Sequence, residues 1–212
     1  MHTAALPRPW VVKLGGSHAS SPFLGDWLRA IAGGGGRLVV VPGGGPFADA
    51  VRTAQAAHAF DDAVAHHMAL LGMEQYAWML AGICGELTPV ATRDEIIAAL
   101  GGGTVPIWLP SRTVLAQPDI RPSWDVTSDS LAAWLARDLG ASLLLLAKAI
   151  AQSQPRAASA LARDGIVDRA FPAYVVRCGC ECRILGAPEH GALAAALRDG
   201  VARGTLVLPV EG

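Results

Sequence analysis

An α/β fold with a mainly parallel central sheet follows from three features of the sequence. Short β-branched or leucine-rich runs alternate with stretches of helical spacing along the chain. The run Ala141 to Ala147 is apolar at consecutive positions, as strands covered on both faces are. Glycine-rich turns stand directly after the first two runs, where an open parallel sheet receives its ligands.

The first run, Trp10 to Val12 with Leu14, stops at Gly15-Gly16-Ser17 and carries Lys13 inside it. A buried lysine is costly unless an anion meets it. Glycine lets the backbone turn sharply and approach a ligand. Pro22 to Ala32 has helical spacing, with Phe23, Trp27, Leu28 and Ile31 on one face. Gly33 to Gly36 comes after a helix and before a strand, so it reads as an αβ turn and not as a phosphate cradle.

Leu38 to Val41 is the second strand, and Gly43-Gly44-Gly45 leads from it into a helix over Phe47 to Ala57. Pro46 suits the first helical turn, and the free N–H groups there suit an anion. A long helix runs from Asp61 to about Leu80 with Val64, Met68, Leu71, Gln75, Trp78 and Met79 broadly on one side, a face fit for the core or for a dimer contact. His66 and His67 are adjacent and do not converge on one metal ion. Strands at Leu87 to Ala91 and Val105 to Leu109 flank a helix over Arg93 to Leu100, which Thr92 and Glu95 open as a capping box. Ser111 to Ser123 reads as a surface loop.

Asp125, Thr127, Ser128, Asp129 and Ser130 crowd the start of a helix over Leu131 to Leu139. One such residue is enough for a cap, so polar groups are left over. The strand from Ala141 to Ala147 ends at Lys148. A polar stretch over Ala149 to Ala158 and a turn at Arg163-Asp164-Gly165 follow. Tyr174 to Val176 reads as a strand running on to Leu185, with Cys178, Cys180 and Cys182 on one face as small buried thiols. A helix over Pro188 to Arg198 and a strand over Thr205 to Leu208 complete the chain.

The 212 residues show no internal repeat and no linker, so residues 1–212 are read as a single domain. A hydrophobic content of 52% against 17% charged residues excludes disorder. The net charge of −1 offers no electrostatic reason to expect nucleic acid or an anionic membrane as partner. No apolar run reaches the ~18 residues of a membrane span. Met1 to Pro9 lacks an apolar signal-peptide core. The four cysteines do not form a secreted disulfide framework, and a cytoplasmic location is expected.

A lysine before Gly-Gly-Ser, a Gly-Gly-Gly turn before a helix and an Asp-rich helix start share one explanation, phosphoryl transfer. Its transition state spreads negative charge over the moving group, which N–H groups and lysines stabilise. The P-loop and protein-kinase motifs are absent. In order and spacing, Val11 to Ser17, Val39 to Gly45, and Asp125 to Ala133 leading into Leu143 to Lys148 resemble the amino acid kinase family.

The resemblance implies a three-layer αβα sandwich and in-line transfer of the ATP γ-phosphoryl group, with magnesium, to a small-molecule acceptor. It assigns catalytic roles to Lys13, Asp129 and Lys148 and nucleotide phosphates to Gly15, Gly16, Ser17 and Lys148. The acceptor falls to Gly43, Gly44, Gly45 and Asp125, with Arg52 a candidate for its phosphate beside His58 or His66, and no residue is assigned as a metal ligand. Two departures stand out. Ala149 to Ser153 replaces the Val-Asp-Gly-Val-Tyr-like run of relatives, and no Gly-Gly-Met segment supplies a second catalytic lysine. Lys13 and Lys148 are the only lysines, so the second cation is Lys148 or an arginine such as Arg163 or Arg169, or it is missing.

Short members of the family include kinases of phosphate monoesters, which makes such a monoester the expected acceptor. Relatives are usually dimers or hexamers, and the Asp61 to Leu80 helix is the expected interface of a homodimer or larger homo-oligomer. The missing segment also motivates a non-catalytic reading, a kinase-fold protein that binds a nucleotide or oxyanion. The three alternating cysteines allow a metal- or redox-linked module.

Overall fold

The computed structural model describes residues 8–210, so most of the N-terminal stretch read for a leader lies outside the described residues. The chain order is β1 (Trp10–Leu14), a 3-10 turn (Gly16–Ser20), α1 (Leu24–Ala32), β2 (Leu38–Pro42), α2 (Gly45–His58) and α3 (Asp62–Ile83). Next come β3 (Leu87–Val90), α4 (Arg93–Gly101), β4 (Val105–Trp108), α5 (Ser111–Val114), α6 (Ser128–Asp138) and β5 (Leu143–Lys148). The last third holds β6 (Arg156–Ala157), α7 (Ala158–Arg163), α8 (Phe171–Cys178), β7 (Glu181–Gly186), α9 (His190–Asp199) and β8 (Thr205–Leu208).

The eight strands form one sheet in the order β3-β4-β2-β1-β5-β7-β8-β6. Every pairing is parallel except β7 with β8. Side chains alternate along a strand, so the central strands feed two cores. Val11, Val39, Val41, Leu144 and Leu146 pack with Leu131, Leu135, Phe171 and Val175 of α6 and α8. Val12, Leu14, Val40 and Leu145 pack with Trp27, Ile31, Leu193 and Leu197 of α1 and α9. The expected three layers are present.

Several expectations meet a different outcome. The stretch 111–123 contains the short helix α5. The strand expected from Tyr174 to Leu185 is instead α8 followed by β7. Phe171, Val175 and Cys178 are buried at helical spacing, and Pro172 stands in the first turn. Packing against α6 outweighs the strand propensity of Tyr-Val-Val. Gly179 at φ +71° ends the helix. The three cysteines therefore share no strand face: Cys178 closes α8, Cys180 lies in the turn and Cys182 is in β7.

On α3 the buried positions are Ala65, His66, Leu70, Gly72, Met73, Tyr76, Ala77 and Leu80, while Val64, Met68, Leu71 and Trp78 are exposed. Most of the apolar face noted in the sequence thus points away from this chain's own core, and Met79 packs against it. Asp61 caps α3 through Val64 N–H at 2.8 Å, and the capping box at Thr92 and Glu95 is present.

Candidate active site

The site lies where the sheet's two middle strands end. In the β1–β5 register Lys13 stands opposite Leu146, so Lys148 projects from the same face two residues further along. That face is covered by α6, whose first turn carries Asp129. Asp129 Oδ1 lies 2.9 Å from Lys13 Nζ, and Lys148 Nζ reaches Oδ1 at 3.0 Å and Oδ2 at 2.7 Å. Lys13 and Asp129 are each 4% exposed. Of the candidates for the second cation, it is Lys148 that the fold brings to Asp129. Arg169 faces Asp125 at 3.7 Å on the exposed rim.

The charges are set by one another. Burial pushes the Asp129 carboxyl up, and the Lys13 and Lys148 ammoniums outweigh it and hold the group at about 2. Burial and then the Lys13 charge lower Lys148 to about 8, against the pull of Asp129. Two cations in contact with one carboxylate leave positive potential at the mouth of the cleft, where an anion is stabilised.

Opposite the lysines, two glycine turns interlock. A Cβ on Gly43 would lie 2.2 Å from Gly16 N, and one on Gly16 would lie 2.3 Å from Gly45 N. No side chain fits at either position. The Gly43 N–H extends the ladder to Leu14 C=O at 2.8 Å, and the Gly15 N–H meets Ala147 C=O at 3.2 Å. The Gly15 N–H, expected to face a nucleotide phosphate, is therefore already bonded, as is that of Gly43, expected at the acceptor and packed against the neighbouring turn. Gly16 and Ser17 open one turn and Gly44 and Gly45 stand at the start of α2, where helix N–H groups lack intrahelical partners. Gly45 at φ +53° takes a left-handed backbone that favours glycine.

Behind the cradle, His18 is buried edge-on against Trp27, with ring centroids 5.6 Å apart. Burial and the Lys13 charge lower it to about 4, so it is a neutral imidazole.

Asp168 is a positioning residue with no counterpart among the expected site residues. Its carboxylate accepts the N–H groups of Thr127 and Ser130, each at 3.0 Å, the Thr127 hydroxyl at 2.9 Å and the Ser130 hydroxyl. It thus caps α6 from a distance, since Thr127 makes no cap bond with its own side chain. Asp168 N–H in turn donates to Asp129 Oδ2 at 3.3 Å. Burial and the neighbouring Asp129 raise the Asp168 carboxyl above its usual value. The hydroxyls left over in the sequence are spent here. The available signal was a lone acid after the apolar pair Ile166-Val167.

The cleft encloses about 760 Å³ between the cradle, the lysines and a wall formed by Ala149, Ile150 and residues 162–169. A side pocket of about 130 Å³ opens from it between α2, α3 and α6, lined by Gly44, Gly45, Ala48, Ala69, Leu70, Met73 and Leu131. Arg52 lies 3.9 Å above the Trp124 ring and borders both spaces, with Trp124 Nε1–H donating to Gln55 at 2.6 Å. Asp125 lines the larger cleft and is exposed. His66 is buried in the wall of the side pocket, where burial lowers it below its ordinary value, and His58 is exposed. No group of three or more His, Cys, Asp or Glu side chains among the described residues is arranged to hold a metal ion.

This cradle and lysine–aspartate centre at the C-terminal ends of a parallel sheet define a phosphate-handling α/β protein. Residues 8–152 match the model of the amino acid kinase family, and the chain belongs to that family. It is 27% identical over 164 residues to the [5-(aminomethyl)furan-3-yl]methyl phosphate kinase of Methanocaldococcus jannaschii, a match covering 76% of this chain and 69% of that protein. The fold is shared with uridylate kinase from Archaeoglobus fulgidus, at a TM-score of 0.70 and 17% identity over 94% of this chain and all (100%) of that one. It is shared likewise with isopentenyl phosphate kinase, at a TM-score of 0.63 and 15% identity over 94% and 99% of the two chains.

Proposed function

We propose that this protein is an ATP-dependent kinase that transfers the γ-phosphoryl group to a small-molecule phosphate monoester. The observation that carries the reading is the buried Lys13–Asp129–Lys148 centre facing a backbone cradle closed to side chains. The larger cleft has the size and wall for a nucleotide. Its phosphates would meet the Gly16 and Ser17 N–H groups and Lys148. Lys13 would stabilise the transferring group, and Asp129 would keep both lysines charged and aimed. Magnesium would be held mainly by the nucleotide's phosphates and water, because Asp129 is engaged by lysines and Asp168 by the α6 cap. Bound there, it would neutralise charge on the transferring group.

The acceptor would enter the side pocket beside Gly44 and Gly45. An apolar cavity near 150 Å³ holds one benzene, so a pocket of about 130 Å³ suits one small ring better than a nucleoside. The [5-(aminomethyl)furan-3-yl]methyl phosphate used by the relative's enzyme is therefore the first acceptor to test. Arg52 would approach an acceptor phosphate from the rim, and Asp125 would border it. Neutral, buried His66 suits the acceptor's body rather than its phosphate.

A cytoplasmic setting and a homo-oligomer complete the reading. No helix among the described residues is long and apolar enough to cross a membrane. The exposed Val64, Met68, Leu71 and Trp78 of α3 support a contact between copies. Sedimentation should show a dimer or larger species, and Trp78→Lys should weaken it.

The deciding experiment measures ADP release from magnesium–ATP with a panel of monoesters. Turnover with the aminomethylfuranyl phosphate, and little with UMP, is expected. Tight ATP binding by calorimetry without turnover on any monoester would instead establish the non-catalytic reading motivated by the altered 149–153 segment.

A further inference from the structure

The cysteines take no part in this chemistry, yet two of them are held together. Cys178 ends α8 and Cys180 follows two residues later, with Gly179 at φ +71° folding the chain back between them. Their sulfurs are 2.6 Å apart. That separation is shorter than ordinary contact between two sulfur atoms and longer than the ~2.05 Å of a disulfide bond. Cys178 is buried, while Cys180 is partly exposed. Cys182, two residues further on, is buried in β7 opposite Leu144 and packs in the same core cluster as Cys178, but the close sulfur contact is the one between Cys178 and Cys180.

We propose that Cys178 and Cys180 form a reversible dithiol–disulfide couple, with a glutathione-type disulfide as exchange partner. Exchange enters at the accessible sulfur. Cys180 as thiolate attacks one sulfur of oxidised glutathione, forming a Cys180–glutathione bond and releasing one glutathione thiolate. Cys178 as thiolate then attacks the Cys180 sulfur, forming Cys178–Cys180 and releasing the second. The two cysteine protons end on the two released glutathiones, so two cysteine thiols are oxidised and one glutathione disulfide is reduced. In the resting contact Cys180 donates to Cys178, which lowers the Cys178 thiol and raises that of Cys180, so the first attack requires the Cys180 proton to leave. The couple sits at the far end of α8 from Asp168. Eight helical residues, about 12 Å, separate it from the catalytic cleft. A modification there is not a modification of the site.

The test uses the folded, full-length protein equilibrated in buffers from reduced to oxidised glutathione. The samples are then denatured, alkylated and weighed intact. Four alkyl groups are expected in reduced glutathione, one per cysteine, and two in oxidised glutathione. Tandem mass spectrometry of the oxidised wild-type chain should link residue 178 to residue 180. Cys178→Ser should stop at the mixed disulfide with glutathione, while Cys182→Ser should still form the bond. Four alkyl groups under oxidising conditions, or a bond that maps to Cys182 or Cys84 in the wild-type chain, would overturn the proposal. The wild-type mapping decides the matter even if a serine variant fails to fold.

Discussion

The cleft has two walls built on different principles. The cradle between β1 and β2 is backbone against backbone: Gly16 and Gly43 touch where any side chain would collide. The wall from β5 to α8 is held by side chains, with Lys148 on Asp129 and Asp168 on the α6 start. A backbone cradle presents donors whose positions do not depend on rotamers. A side-chain wall can be tuned by charge, and burial with the Lys13 charge lowers Lys148 to about 8. One wall therefore sets geometry and the other sets protonation.

Substitutions can separate the two. The largest expected effect is at the centre both walls share. Lys13→Ala should lower kcat by about 10²–10³-fold, the usual loss for a donor to a developing charge, with the fold retained by circular dichroism. Normal turnover in this variant would refute the proposed mechanism.

On the backbone wall, Gly43→Ala must displace Gly16, which lies 2.2 Å from the added carbon. A misplacement of about 1 Å costs roughly 100-fold in rate, so steady-state kinetics should show a loss of that order. If the rate were unchanged, the close fit of the turns would have no part in positioning phosphate.

The side-chain wall is probed by pH. Lys148 loses its proton as pH rises through about 8, so kcat/KM should fall tenfold per unit above that value. Lys148→Arg, always charged, should keep a flat profile over the same range. The Lys148 contribution to stability should move the opposite way. The group's value is 10.5 in the open chain and about 8 when folded, so at this residue the unfolded chain binds more protons between them. Raising the pH across that window therefore strengthens this contribution. Denaturant titrations at pH 8 and 10 of the wild type against Lys148→Met, which separate it from the opposing raised thiols of Cys84, Cys180 and Cys182, check the sign.

The smallest expected effect is at Asp168. Asp168→Ala leaves the Thr127 and Ser130 N–H groups without their acceptor, at a cost of about 1–3 kcal/mol for a buried donor. Urea unfolding should show this loss, with a smaller effect on kcat than Lys13→Ala has. A kcat loss as large as that of Lys13→Ala would make Asp168 a participant in the chemistry.

By itself the sequence determined the alternation of strands and helices, the two glycine turns and the capping box at Thr92. These are local signals, because glycine, proline and capping residues act within a few positions of themselves. Lys13 stood out for the same reason, as a charge inside an apolar run is conspicuous. Only the tertiary structure decided the rest. Tyr174 to Cys178 is helical because α6 offers it a surface to pack on, which outweighs its β-branched residues. The choice of Lys148 over Arg169 depends on the register of β1 with β5. Asp168 caps a helix that begins some forty residues earlier, 38 by its bond to Ser130. Such contacts depend on how elements meet, and no pattern within a single element records them.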